Sequence, residues 1–241
     1  MRSSSQKHLD VSDRILVIMA KAPRAGAVKT RLAQHLSSTA VVDLYRCLLD
    51  DTVTLAQSLD GIKVAAVCPA SDVDDLSRVA GDAVHVVAQT GEGLAAGLTS
   101  VFAHFATAQR SRIVALNSDS PHLPASVLLS AFDTLASCDL VVGPTHDGGY
   151  YLVGATACYP GLFASTAMGT SNALEALLAR AGKLGLSVRS TIPFYDIDVA
   201  DDLNRLADEL HLAPARAPRT AAWLAEWRQA SAARRSSAGN A

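Results

Sequence analysis

Three things are scarce in this chain, and each scarcity removes a class of function. Its four cysteines, Cys47, Cys68, Cys138 and Cys158, stand far apart, with no CxxC pair and no zinc-type spacing. They read as free thiols of a reducing compartment rather than a disulfide framework or a metal finger. No apolar run approaches the roughly 18 residues that a membrane-spanning helix needs. An excess of charge is missing too: 21 Lys and Arg face 23 Asp and Glu, for a formal charge of −2. That balance gives no overall attraction to nucleic acid or to a membrane surface. Arg2 and Lys7 precede no apolar stretch before Asp10 and Asp13, so no signal peptide is expected, and a cytoplasmic location is.

What is abundant is core-forming material. Of the 241 residues, 49% are hydrophobic, arranged in strand-sized and helix-sized blocks that alternate along the chain. Ile15–Ala20, Lys63–Cys68, Val84–Ala88, Ile113–Leu116, Asp139–Val142, Tyr150–Val153 and Leu186–Ser190 read as strands. Between them, stretches such as 40–58, 125–136, 171–181 and 199–210 carry apolar residues at helical spacing. Strand–helix alternation predicts an α/β fold: a doubly wound, mostly parallel sheet with helices on both faces. Without an internal repeat or linker, residues 14–210 read as one domain. Residues 1–13 read as a flexible leader, and 211–241 as an Ala/Arg-rich, partly helical tail. Trp223 and Trp227 in the tail form an i, i+4 apolar pair, suited to packing on the domain or on a second subunit of a homodimer.

Chemistry-bearing residues fall where strands end. The mid-chain stretch RIVALNSDSPHLP breaks from an apolar run into Asn117-Ser118-Asp119-Ser120. Asp119 therefore lies at a strand tip, the place where open α/β sheets bind ligands. A strand-tip carboxylate suits a hard cation such as Mg²⁺ carrying phosphates, although Asp119 and Ser120 could equally cap the next turn. The first strand runs into KAPRAGAVKTRL, which gathers Lys21, Arg24, Lys29 and Arg31 around Gly26 with no acidic residue. Such a loop is a natural phosphate cradle, and four cations without counter-charge call for a visiting anion. Neither the GxxxxGK[ST] nor the GxGxxG pattern is present. Gly91 and Gly93 open a helix where a flat ligand could approach the backbone. Asp147-Gly148-Gly149 reads as a hairpin turn, or as a carboxylate and open backbone facing a substrate. Asp196 and Asp198 flank Ile197 on an extended segment and are expected on opposite faces unless the chain turns.

Taken together, AKAPRAGAVKTRL, NSDSPHLP, GPTHDGGYYLVG and YDIDVADDL resemble a bacterial family of GT-A-like nucleotide-diphospho-sugar transferases, over residues 14–210. More distantly the chain is similar to molybdenum-cofactor guanylyltransferases and to the phospho-lactate guanylyltransferases of deazaflavin-cofactor synthesis. The resemblance implies Mg²⁺ or Mn²⁺ held by Asp119 and Asp198, with Asp196 as a third ligand. It also implies phosphate binding by Lys21, Arg24, Lys29 and Arg31. One departure stands out: Gly93-Leu94-Ala95-Ala96-Gly97 occupies the place of a GER-type motif, which leaves open whether that helix mouth binds base, sugar or acceptor. The expected partners are an NTP or a nucleotide-sugar and a small acceptor. Nucleotidyl transfer to a phosphate or carboxylate is the first reading, with Asp119 as the central catalytic carboxylate. The alternative is glycosyl transfer with Asp147 as base, and the third reading is a nucleotide-binding module without turnover.

Overall fold

The computed structural model describes residues 13–106, 111–165 and 167–238. Seven strands form one sheet: β1 (Arg14–Met19), β2 (Lys63–Cys68), β3 (His85–Ala88), β4 (Arg112–Asn117), β5 (Leu140–Pro144), β6 (Tyr150–Ala155) and β7 (Val188–Ser190). Their spatial order is β3-β2-β1-β4-β6-β5-β7. β1, β2, β3 and β4 are mutually parallel, β6 runs antiparallel to both neighbours, and β7 is parallel to β5. The sheet is thus α/β, mostly parallel and doubly wound, as expected.

Seven helices follow the strands: α1 (Ser38–Gln57), α2 (Val73–Ala80), α3 (Gly93–Phe105), α4 (Ala125–Thr134), α5 (Ala173–Lys183), α6 (Ala200–Leu212) and α7 (Pro218–Ala238). Side chains on successive strand residues go to opposite faces. Leu16 and Ile18 of β1 join Val114 and Leu116 of β4 under α1, α2 and α4. Val17, Ile113 and Ala115 go to the other face, under Phe102 of α3 and Leu177 of α5. Burial on both faces explains why these strands read as unbroken apolar runs.

α1 is apolar on two sides. Tyr45, Leu49 and Val53 face the sheet, whereas Val41, Leu44 and Leu48 meet Leu203, Leu206 and Leu224 of α6 and α7. The tail therefore packs on its own domain. The stacked rings of Trp223 and Trp227 lie 6.2 Å apart and are half-buried against that third cluster. Buried Asp51 of α1 fixes the start of α7 by accepting the amides of Arg219 and Thr220 at 3.2 and 2.7 Å. Most of the expected leader, residues 1–12, and the last three residues lie outside the described residues. Among the described residues no helix is long and apolar enough to cross a membrane.

Candidate nucleotide and metal site

Every parallel strand delivers its carboxyl end to one edge of the sheet, and the loops there enclose a pocket of about 810 Å³. Its lining takes Lys21 and Lys29 from the loop after β1, Pro69 and Ser71 after β2, and Gln89, Gly91 and Gly93 after β3. Ser118 and Asp119 follow from β4, and Asp198 comes from the segment before α6.

The acidic residues converge. Oxygens of Asp119, Asp196 and Asp198 all lie within 4.8 Å of one another. The expectation that Asp196 and Asp198 part to opposite faces is corrected: residues two apart on an extended segment share a face, and both carboxylates join the cluster. Asp202, in the first turn of α6, accepts the amides of Asp198 and Val199 at 2.9 and 2.8 Å and so ties the segment to the start of that helix. Asp198 is consequently free of a capping role. A second tie runs from the β4 loop: buried Ser120 donates its hydroxyl to the Tyr195 carbonyl at 2.9 Å, which brings residues 75 positions apart in the chain side by side. Burial, then the Asp198 charge, raise the Asp196 carboxyl to about 6, despite the opposing Lys29. Three carboxylates are hard oxygen donors of the kind Mg²⁺ or Mn²⁺ takes, so the residues present fit such an ion.

Lys29 lies against this cluster. Its Nζ is 2.9 Å from Asp119 Oδ2 and 3.0 Å from Asp198 Oδ1, with the side chain 3% exposed. Burial alone would lower the ammonium's pKa, but Asp119 and Asp198 outweigh it and hold the pKa raised. Beside it, the Tyr45 hydroxyl accepts the Lys21 amide at 3.1 Å and shares a hydrogen bond of 3.0 Å with Ser118 Oγ. Burial and the nearby Asp119 push that phenol up to about 12. Tyr45 reads in sequence only as one apolar position of a helix; its polar end braces the pocket floor.

One expectation is corrected here. The basic loop is not without counter-charge, because residues distant in the chain supply it. Arg24 donates to Asp72 at 2.7 Å and to Asp75 at 2.5 Å, while Asp72 also accepts the buried Ala22 amide at 2.8 Å. Arg24 is therefore committed to α2 and does not line the pocket. Ser71, which reads as the cap of α2, gives that position to Asp72. Arg31 is 65% exposed and 3.6 Å from Asp198, at the rim. Asp147 lies exposed in the turn that joins β5 and β6. It accepts from Thr145 Oγ1 at 2.5 Å and from the Gly149 amide at 3.2 Å, and the Thr145 hydrogen bond holds its carboxyl below the usual range. Asp147-Gly148-Gly149 is a hairpin turn between β5 and β6. A side chain at Gly148, whose φ is +87°, would collide with the Ser171 carbonyl, so the packing of this turn requires glycine.

The glycines after β3 do reach the pocket. Gly91 and Gly93 hold φ of +83° and +79°, and Gly26 holds +77° within the basic loop without lining the pocket. Gln89, which sequence reasoning passed over, donates Nε2 to the Gly91 carbonyl at 2.9 Å, and its Oε1 occupies the space a side chain at Gly97 would need.

Residues 52–170 match the profile of the family described as "Uncharacterized protein conserved in bacteria (DUF2064)". No curated protein matches the sequence. Among solved structures, a protein of Desulfovibrio desulfuricans G20, provisionally named a nucleotide-diphospho-sugar transferase, superposes with a TM-score of 0.81 at 25% identity, over 89% of this chain and 95% of its own. A nucleotidyl transferase of Methanothermobacter thermautotrophicus gives 0.55 at 16% identity, over 83% and 99%. The 4-diphosphocytidyl-2C-methyl-D-erythritol synthase of Anaerococcus prevotii gives 0.54 at 10% identity, over 83% and 98%. The last two show likeness of fold.

Proposed function

We propose, from the match of residues 52–170 to a bacterial family of unassigned activity and the likeness to the Desulfovibrio protein, that the chain is a nucleotide-using transferase of the nucleotidyl type. The observation that carries this is the convergence of Asp119, Asp196 and Asp198 with Lys21 and Lys29 on one pocket. Carboxylates and lysines mixed in one crevice suit a polyphosphate accompanied by a divalent cation. Asp119, Asp196 and Asp198 would hold Mg²⁺ or Mn²⁺, which when bound would neutralise charge on the phosphates and on departing pyrophosphate. Lys21 and Lys29 would hold phosphate oxygens, and the glycine mouth of α3 would admit the flat part of the nucleotide against open backbone. An acceptor oxygen then attacks the α-phosphorus as the bond to pyrophosphate breaks. The protein's contribution is alignment and charge compensation, with no covalent intermediate.

The same geometry supports a phosphate or carboxylate acceptor. A sugar hydroxyl must lose a proton as it attacks and needs a base within reach. Asp147, the carboxylate expected for that task, is engaged in its own turn. A phosphate or carboxylate acceptor is already deprotonated at neutral pH and needs no base. Glycosyl transfer from a nucleotide-sugar is the second reading, supported by the likeness to the Desulfovibrio protein.

A thermal-shift panel tests both, using four NTPs and common UDP-, GDP- and TDP-sugars with and without Mg²⁺. A ligand that binds only the native state raises the melting temperature by mass action. A Mg²⁺-dependent rise with one NTP, absent with nucleotide-sugars, is expected. The reverse pattern selects the glycosyl reading, and no rise with any ligand sinks both.

A further inference from the structure

We propose that Lys29 is the built-in counter-ion of the Asp119/Asp196/Asp198 cluster, so that a divalent ion enters only together with phosphates that draw the lysine away. This rests on the nucleotide-and-metal reading of the site and adds a rule for its order of occupation. The Nζ of Lys29 contacts two of the three carboxylates, Asp119 at 2.9 Å and Asp198 at 3.0 Å. Those oxygens are the ones a dication would need, and a dication and an ammonium cannot share them without strong repulsion. The lysine cannot swing to solvent cheaply, since its side chain is almost wholly enclosed. A phosphate arriving in the pocket changes this balance by offering the ammonium an anionic partner of its own.

The backbone supports a dedicated placement. Lys29 has φ of +47°, the single non-glycine residue with positive φ among the described residues. Such a conformation is unfavourable for a lysine, and clusters at sites where strain has a function. It aims the side chain inward, while the Lys29 carbonyl accepts the Leu32 and Ala33 amides. Arg31, at 3.6 Å from Asp198, stays at the rim and cannot replace it. By linkage, phosphates would then raise metal affinity by the same factor as the metal raises phosphate affinity.

Mn²⁺ binding followed by electron paramagnetic resonance tests this with no nucleotide present. Wild-type protein is expected to hold Mn²⁺ alone more weakly than about 1 mM, the weak end for oxygen-ligand sites. Lys29→Met, and Lys29→Gln as a second neutral variant, are expected to bind it about ten-fold tighter, within the usual range of coupling between sites. Asp119→Asn in the Lys29→Met background should erase the gain, which locates the ion at the cluster. Wild type that binds Mn²⁺ alone as tightly as the neutral variants overturns the proposal, and the wild-type titration alone decides it if both variants fail to fold. Failure of the transferase reading appears elsewhere, as silence in the thermal-shift panel, so the two failures are told apart.

Discussion

The loop after β1 contains two clusters of opposite and like charge that differ in nearly every respect. At one end, Arg24 pairs with Asp72 and Asp75, the guanidinium half in solvent. At the other, Lys29 is enclosed against Asp119 and Asp198 beside the pocket. The first couples the loop to α2 and is satisfied within the protein, since Asp72 accepts both Arg24 and the Ala22 amide. The second gathers three carboxylates around one lysine, leaving excess negative charge for something else to neutralise. Charged residues from one loop thus serve scaffold or site according to what the tertiary structure sets opposite them.

The comparison can be broken most severely at the site end. Asp119→Asn is expected to keep the fold, shown by an unchanged circular dichroism spectrum. It should lower kcat/KM for the nucleotide that the thermal panel selects by about 10²–10³-fold, typical of losing one transition-state electrostatic contact. A drop of less than about ten-fold would remove Asp119 from the centre of the chemistry. The scaffold end predicts the opposite signature. Asp72→Ala leaves the buried Ala22 amide without its acceptor, which costs about 1–3 kcal/mol in urea unfolding, while kcat changes little.

A third expectation concerns His122, three residues beyond Asp119 on the same loop. The ring is fully buried between Phe194 and Tyr195, and neither of its nitrogens has a hydrogen-bond partner. Burial first, then Arg216 and Arg205, lower its pKa to about 3, while Glu209 at 4.0 Å pulls the other way. A base whose folded pKa lies below its unfolded value of about 6.5 stabilises the native state fully above that value. The stabilisation is lost as pH falls from about 6.5 towards 3. His122→Phe, which keeps the ring stacking, is expected to flatten that part of the stability–pH curve, measured by thermal melting between pH 4 and 7. Equal slopes in both proteins would contradict the buried neutral ring. The smallest effect is expected for Arg24→Ala, with the urea midpoint changing little, as for exposed ion pairs, and KM for the nucleotide moving less than it does in Lys29→Met. A loss of nucleotide affinity as large as that of Lys29→Met would return Arg24 to the phosphate site and dissolve the contrast.

Much of the fold was legible because it depends on local periodicity. Unbroken apolar runs such as Ile15–Met19 and Ile113–Leu116 mark strands buried on both faces, and the helix blocks between them imply a parallel sheet. Asp119 at a strand tip and the basic loop after β1 followed from the same logic. The hairpin of β5 and β6 was legible in Asp147-Gly148-Gly149. The packing reason for Gly148 was not legible, because the Ser171 carbonyl that approaches it lies 23 positions further along the chain. Arg24 and Lys29 look equivalent as letters. Their partners Asp72, Asp75, Asp119 and Asp198 lie from 48 to 169 positions away or come from a different strand, and no local pattern reports such a pairing. Tyr45 was hidden for a related reason: a helix position facing the core reads as apolar, and its hydroxyl matters only where Ser118 and the Lys21 amide happen to meet it.

By itself the sequence determined the α/β alternation, the strand ends and the inventory of ionisable groups near them, since backbone periodicity and residue chemistry act over a few neighbouring positions. The tertiary structure alone decided which carboxylates meet and which cation is held among them. Asp196 and Asp198 meet Asp119 where Ser120 fastens the β4 loop to Tyr195 and Asp202 holds the amides of Asp198 and Val199. Charge interactions depend on distance in space and on burial, and neither is written into spacing along the chain.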